Sequence, residues 1–125
     1  MQLVEQRFDH NIRVAAQRHP NARVEKHKGP SPLVLSALLA RGDNASFDLV
    51  YVDGSHRAPY VLTDLLAFQL CRAEGLIFCD DYLWQQQRET ETSKLAVDAF
   101  VACFHHRVRI IPERFYQLYL HKIAD

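Results

Sequence analysis

Two apolar runs that each end in aspartate most constrain the fold of this chain. Residues 47–53 (FDLVYVD) and residues 75–81 (GLIFCDD) have the β-branched and aromatic content of buried strands. Between them, residues 58–73 carry apolar side chains at helical spacing over a length too great for a strand. A strand, a helix and a strand in this order predict parallel pairing through a right-handed crossover. We expect the strand of residues 47–53 to be central and buried on both faces.

The rest of the chain continues this alternation. Helices are predicted over residues 8–19, 32–41 and 90–106, and strands over residues 22–29, 107–112 and 115–123, the last two joined by a short turn at residues 112–114. The order αβαβαβαββ predicts an α/β three-layer sandwich, in which a mostly parallel sheet ends in an antiparallel hairpin. Residues 1–125 are expected to form a single domain. The side chains predicted to point inward from residues 90–106 are Leu95, Ala96, Ala99, Phe100 and Cys103.

Composition argues against several classes of function. Lys plus Arg and Asp plus Glu are equal at 15 each, so no overall charge is available to attract nucleic acid or an anionic membrane. No run is long and apolar enough for a membrane span, and the start has no signal pattern, so we expect a cytoplasmic protein. The cysteines are odd in number, widely spaced and expected to be small core residues: Cys71, Cys79 and Cys103.

The aspartates at the two strand ends are the candidate functional residues. If the two strands are neighbours, the carboxylates of Asp53, Asp80 and Asp81 can converge. Bound Mg²⁺, a raised pKa on one acid, or orientation toward water would each relieve the repulsion. From spacing alone, Asp53 can equally be a turn residue and the other two can cap a loop. His56, three residues beyond Asp53, is placed where a base would be useful, although a lone loop histidine is often only exposed to solvent.

The chain resembles a known family along nearly its whole length. FDLVYVDGSH, VLTDLLAFQLCRAEGLIFCDDYLW and KLAVDAF resemble the class I, Rossmann-like S-adenosylmethionine-dependent methyltransferases, in particular the small-molecule O-methyltransferase branch with DGSH and DDY motifs. The resemblance implies that Asp53, Asp80 and Asp81 hold Mg²⁺ beside the acceptor hydroxyl. It implies that Asp53 and His56 act in catalysis, with His56 in the place of a lysine base of the catechol type. The implied substrate is a small hydroxylated molecule.

One part of the family pattern is missing from these residues. The glycine-rich turn that grips S-adenosylmethionine is absent, since the chain has four glycines and no GxGxG sequence. By comparison with the family, we expect a truncated Rossmann-like methyltransferase fold that begins at the helix after the second strand. The cofactor contacts that the resemblance leaves are Gly29, Ser31 and Asp53. We therefore expect the isolated chain to bind S-adenosylmethionine weakly or not at all.

The missing strands would have to be compensated. Either residues 22–29 pair with residues 47–53, giving the sheet order first, second, third, fifth, fourth, or exposed edges pair in a homodimer, which we expect. The expected function is S-adenosylmethionine-dependent, Mg²⁺-assisted O-methylation of a small molecule, inactive or incomplete in this chain alone. The alternative is a non-catalytic fold remnant that acts as a homo-oligomeric interaction module. A metal-dependent hydrolase ranks last, because no GxSxG elbow is present.

Overall fold

A computed structural model of the chain describes residues 2–84, 88–112 and 116–125. These residues form four helices and four strands, with two short 3₁₀ turns. Among these residues, no helix combines the length and apolar character needed to cross a membrane. The elements are α1 (Gln2–Arg18), α2 (Ser31–Arg41), β1 (Phe47–Val52), α3 (Ala58–Asp64) with a 3₁₀ turn (Leu65–Gln69), β2 (Cys71–Cys79), a second 3₁₀ turn (Glu89–Glu91), α4 (Ser93–Phe104), β3 (Val108–Ile111) and β4 (Leu118–Lys122).

The strands form one mixed sheet in the order β1-β2-β4-β3. β1 and β2 are parallel, while β4 runs antiparallel to both β2 and β3. The α/β class and the mixed sheet are therefore as predicted. The four strands keep the relative order given under the first of the two alternatives, although residues 22–29 do not join them. Val52 and Cys79 are register partners at the ends of β1 and β2, and the Asp80 amide donates a 3.0 Å hydrogen bond to the Val52 carbonyl. The chain thus leaves both strands at the same edge.

The core lies between one face of the sheet and the helices α3 and α4. Ile77, Leu120 and Cys79 are at most 1% exposed, and the rings of Phe68 and Phe100 meet edge to face with centroids 5.2 Å apart. Each such apolar side chain contributes about 1.5–3 kcal/mol on burial. The last residues of β1 and β2, Val52 and Cys79, belong to this core, so the packing fixes the edge at which both strands end.

The predicted strand of residues 22–29 is wrong. These residues are exposed and non-helical, they pair with no described strand, and Val24 is 55% exposed. The Lys26 ammonium instead donates hydrogen bonds to Glu5 (3.0 Å) and Asp9 (2.8 Å) of α1. A strand is stable only when a neighbour satisfies its backbone groups, and local sequence alternation does not supply that neighbour.

The prediction that β1 is central and buried on both faces is also wrong. Within the described chain β1 is an edge strand, and its side chains Phe47, Leu49 and Tyr51 are 42%, 46% and 47% exposed. Their apolar character is typical of a buried strand. No described strand pairs with the outer edge of β1, however, so these side chains stay partly exposed. The carboxyl end of β1 is thus open to solvent on one side.

Two helices differ in detail from their predictions. α1 begins at Gln2, and the helix predicted to reach residue 73 ends as the 3₁₀ turn at Gln69. α4 buries Ala96, Val97 and Phe100, whereas Leu95, Ala99 and Cys103 are exposed. Apolar residues occupy most sides of this helix, so periodicity alone does not define its inner face. Cys103 is therefore not a core residue, unlike Cys71 and Cys79. The predicted turn at residues 112–114 lies mostly outside the described residues.

Candidate acid cluster at the carboxyl ends of two strands

The three predicted acids meet at the edge where β1 and β2 end. One carboxylate oxygen each from Asp53, Asp80 and Asp81 lies within 4.8 Å of the other two. The parallel register of the strands brings Asp53 and Asp80 together. A left-handed backbone at Asp81, with φ of 50°, turns the next carboxylate toward the same point. Aspartate tolerates this conformation better than most residues, because its short side chain can form local hydrogen bonds.

The environments of Asp53 and Asp80 differ in their electrostatics. Partial desolvation, with repulsion from Asp80 and Asp81, raises the pKa of Asp53 above its ordinary value. The hydrogen bond from the Tyr51 hydroxyl is the main cause that lowers the pKa of Asp80. The same bond raises the pKa of Tyr51 to about 12. The cluster therefore holds one acid that resists protonation beside one that accepts a proton more readily.

His56 joins the cluster through Asp81. Its Nδ1 lies 2.7 Å from Asp81 Oδ2, and its ring meets the Trp84 indole edge to face at a centroid distance of 4.2 Å. A carboxylate at Nδ1 favours the tautomer with the proton on that nitrogen, so Nε2 is left as an acceptor. The structure thus brings His56 together with the acids. Trp84 was not predicted, because its position after the DDY motif carries no signal from spacing alone.

Tyr51 and Gln117 also contact the cluster, and neither was predicted. The Tyr51 hydroxyl donates a 2.7 Å hydrogen bond to Asp80 Oδ2, and Gln117 Nε2 donates a 2.8 Å bond to Asp80 Oδ1. Tyr51 has the period-2 spacing of an ordinary strand residue, and Gln117 lies 37 residues beyond Asp80 along the chain. Only the pairing of β4 with β2 makes this contact, so no local pattern reveals it.

The predicted cofactor residues do not all share one cavity. Ser31 and Asp53 line an open cavity of about 400 Å³ beside β1, together with Gly54 and Asp64. A Cβ atom on Gly54 would lie 2.8 Å from Asp64 Oδ2, so this turn needs glycine while the Asp64 side chain is in place. Gly29 lines a separate cavity of about 320 Å³ with residues of α2. The structure therefore groups Ser31 with Asp53 and places Gly29 elsewhere.

Comparison with known protein families gives a match over residues 3–82, described as a methyltransferase domain. The match covers more than half of the chain and includes Asp53, Asp80 and Asp81. The chain belongs to this methyltransferase family. A comparison with curated proteins returned no match. The family places the acid cluster in a methyltransferase domain, and S-adenosylmethionine is the methyl donor that such a domain implies.

Proposed function

We propose that this methyltransferase domain serves the S-adenosylmethionine-dependent, Mg²⁺-assisted O-methylation of a small hydroxylated molecule. The observation that supports the proposal is the convergence of three carboxylates and His56 at one sheet edge in a chain of this family. In this proposal the 125 residues carry the acceptor and metal side of the site. They lack the glycine-rich turn that holds the methyl donor.

The donor set of the acid cluster suits Mg²⁺. Asp53, Asp80 and Asp81 offer only hard oxygen ligands, and Mg²⁺ in proteins is often held by one or two carboxylates with the remaining positions left to water and substrate. When bound, the ion would orient an acceptor hydroxyl and lower its pKa. The lowered pKa of Asp80 favours its ionised form, which is the form that binds a metal ion. The raised pKa of Asp53 favours its protonated form, so metal binding competes with a proton at this carboxyl.

His56 is the proposed base for the acceptor hydroxyl. Its Nδ1 donates to Asp81, which fixes the ring and leaves Nε2 able to accept the hydroxyl proton. The contact of Trp84 with the ring restricts its rotation further. Methyl transfer from a sulfonium to an oxygen requires the oxygen to be aligned with the methyl group and deprotonated, so positioning of base and acceptor is the main task of these residues.

Binding of the methyl donor is the part that the chain is expected to perform poorly. The cavity beside β1 offers Ser31, Asp53 and Asp64, but no run of glycines supplies backbone amides. Calorimetric titration of the chain with S-adenosylmethionine, with and without Mg²⁺, tests this directly. We expect no heat of binding at micromolar cofactor. Micromolar affinity would contradict the incomplete donor site and show that these residues suffice.

The metal ligands have their own test. We expect Mg²⁺ to raise the melting temperature of the chain, and the double variant Asp80→Asn plus Asp81→Asn to lose that rise. Asp98→Asn is a matched control, because Asp98 lies on α4, pairs with Lys94 and Tyr82, and is not one of the three clustered acids. A rise that persists in the double variant would exclude the proposed ligands.

A second candidate function is that of a homo-oligomeric interaction module, and the open edge of β1 favours it. Antiparallel pairing of two β1 strands about Leu49 and Val50 would place Asp48 opposite Tyr51 of the second copy, so no like charges would meet. We expect a homodimer by light scattering at tens of micromolar chain and a monomer for Leu49→Lys. A wild-type monomer at these concentrations would rule out the interaction through this edge.

A further inference from the structure

We propose that Tyr51 and Gln117 are positioning residues that fix the Asp80 carboxylate for metal binding without themselves touching the metal. The inference rests on the proposed function of the acid cluster. Tyr51 belongs to β1, whereas Gln117 lies immediately before β4, and the two side chains meet although 66 residues separate them. They reach Asp80 from opposite sides of β2, one from β1 and the other from the start of β4.

Hydrogen bonds hold both oxygens of Asp80. Oδ2 accepts a 2.7 Å bond from the Tyr51 hydroxyl. Oδ1 accepts a 2.8 Å bond from Gln117 Nε2 and a 2.9 Å bond from the backbone amide of Asp81. Rotation of the carboxylate would break at least one of these bonds, and bonds to a charged group are stronger than those between neutral groups. Asp80 is therefore held in a single orientation before any ion arrives.

The two positioning residues are themselves fixed. Gln117 Nε2 also donates a 2.9 Å bond to the Tyr51 hydroxyl oxygen, and Gln117 Oε1 accepts a 2.9 Å bond from the Tyr119 hydroxyl. This second bond determines which end of the amide faces Asp80, because only its nitrogen can donate there. The Phe78 ring packs against the rings of Tyr51 and Tyr119, with centroids 6.4 Å and 4.5 Å away, so both tyrosines are also held by aromatic contacts.

This arrangement is expected to act on metal affinity more than on folding. Tyr51 is about half exposed and Gln117 only partly buried, so loss of their polar atoms removes little packing. Partners that orient a metal ligand typically account for about 10–100-fold in metal affinity. A merely structural role would instead lower the stability of the metal-free chain and leave the affinity of the folded chain unchanged.

The experiment measures Mg²⁺ affinity by calorimetry for the full chain, Tyr51→Phe and Gln117→Met. Each variant removes polar atoms at nearly constant size. We expect about tenfold weaker Mg²⁺ binding for each, with melting temperatures of the metal-free chains within a few degrees of wild type. Gln69→Met and Tyr60→Phe are matched controls at exposed positions outside the cluster, and their affinity should equal that of wild type.

A second measurement examines the metal-free chain by ¹⁵N relaxation. The Gln117 side-chain amide is expected to be as ordered as rigid backbone, with an order parameter of about 0.85, whereas that of exposed Gln69 should fall below about 0.6. Tyr51→Phe should loosen the Gln117 amide, because it removes one of its acceptors. A Gln117 amide as mobile as that of Gln69 would overturn the inference.

The outcomes separate this inference from the proposed function. If wild type binds Mg²⁺ and both variants bind it equally well, the positioning role is wrong and the metal site stands. If the variants lose melting temperature without losing affinity, the role is structural only and the inference is wrong. If wild type binds no Mg²⁺ at millimolar concentration, the proposed metal site and the positioning role fail together.

Discussion

Replacing Asp53 with asparagine should stabilise the metal-free chain and reduce the stabilisation that Mg²⁺ provides. Asparagine keeps the size of the side chain but removes one of three negative charges that lie within 4.8 Å of one another. Without metal, the folded state is relieved of repulsion and should become more stable. With Mg²⁺, the variant lacks one anionic ligand and should gain much less stability from the ion than wild type.

The size of the effect follows from the geometry. Two unit charges 4.8 Å apart repel by about 0.9 kcal/mol in bulk water and by about 3.5 kcal/mol at an effective dielectric constant of 20. Asp53 is exposed, so the lower figure applies to each of its two repulsions, with Asp80 and with Asp81, and a gain of about 1–2 kcal/mol is expected for the metal-free chain. For a domain of this size, each 1 kcal/mol corresponds to a rise of roughly 3–5 °C in melting temperature. For wild type, Mg²⁺ at ten times its Kd stabilises by about 1.4 kcal/mol.

The assay is a pair of thermal melts, one in EDTA and one in Mg²⁺, for wild type, Asp53→Asn and the control Asp98→Asn. The control removes a carboxylate that is paired with Lys94, so it should lower the melting temperature slightly in both conditions. A lower melting temperature for Asp53→Asn in EDTA would refute the repulsion argument. An undiminished Mg²⁺ response in this variant would refute the role of Asp53 as a ligand.

Three further predictions concern the rest of the molecule. Phe68→Ala, at a core position 1% exposed, should lower the free energy of unfolding by about 3–5 kcal/mol in urea titration, and a loss below 1 kcal/mol would contradict the assigned core. Burial raises the pKa of the Cys79 thiol to about 12, so at pH 8 a thiol reagent should modify exposed Cys103 alone, and Cys103→Ser should abolish the labelling of the native chain. Hydrogen bonds from Lys28 and Lys26 lower the pKa of Glu5 from 4.5 to about 2. The stability that Glu5 gains from its bonds to the two lysines is therefore fully present above pH 4.5 and lost as the pH falls toward 2. NMR shifts of α1 should show this transition, and it should be absent in Glu5→Gln.

The most predictable part of the site is the part encoded in adjacent residues. Each acid directly follows an apolar run, and parallel pairing of the two strands is enough to bring Asp53 and Asp80 to one edge. His56 is close to Asp53 in sequence and could be included for the same reason. Tyr51 and Gln117 could not be found this way, because their contact depends on β1 and β4 lying on opposite sides of β2.

The errors in the predicted fold also arise from contacts between residues that are distant along the chain. Residues 22–29 have the alternation of an edge strand, but a strand also needs a neighbour with unpaired backbone groups. The neighbouring α1 offers only the carboxylates of Glu5 and Asp9, which accept hydrogen bonds from the lysines of this segment. β1 has the composition of a central strand, but no described strand pairs with its outer edge. α4 has apolar residues on several sides, so only its packing against α3 and the ring of Phe68 decides that Phe100 is buried and Cys103 is not.

The sequence by itself determined the α/β class, the parallel pairing of β1 and β2 and the acids at the ends of these two strands, because these depend on side-chain periodicity and a short crossover. Only the tertiary structure decided which edge stays open, which face of α4 is buried and which distant side chains fix Asp80. Those features depend on contacts with residues elsewhere in the chain, and a local sequence pattern does not specify such contacts.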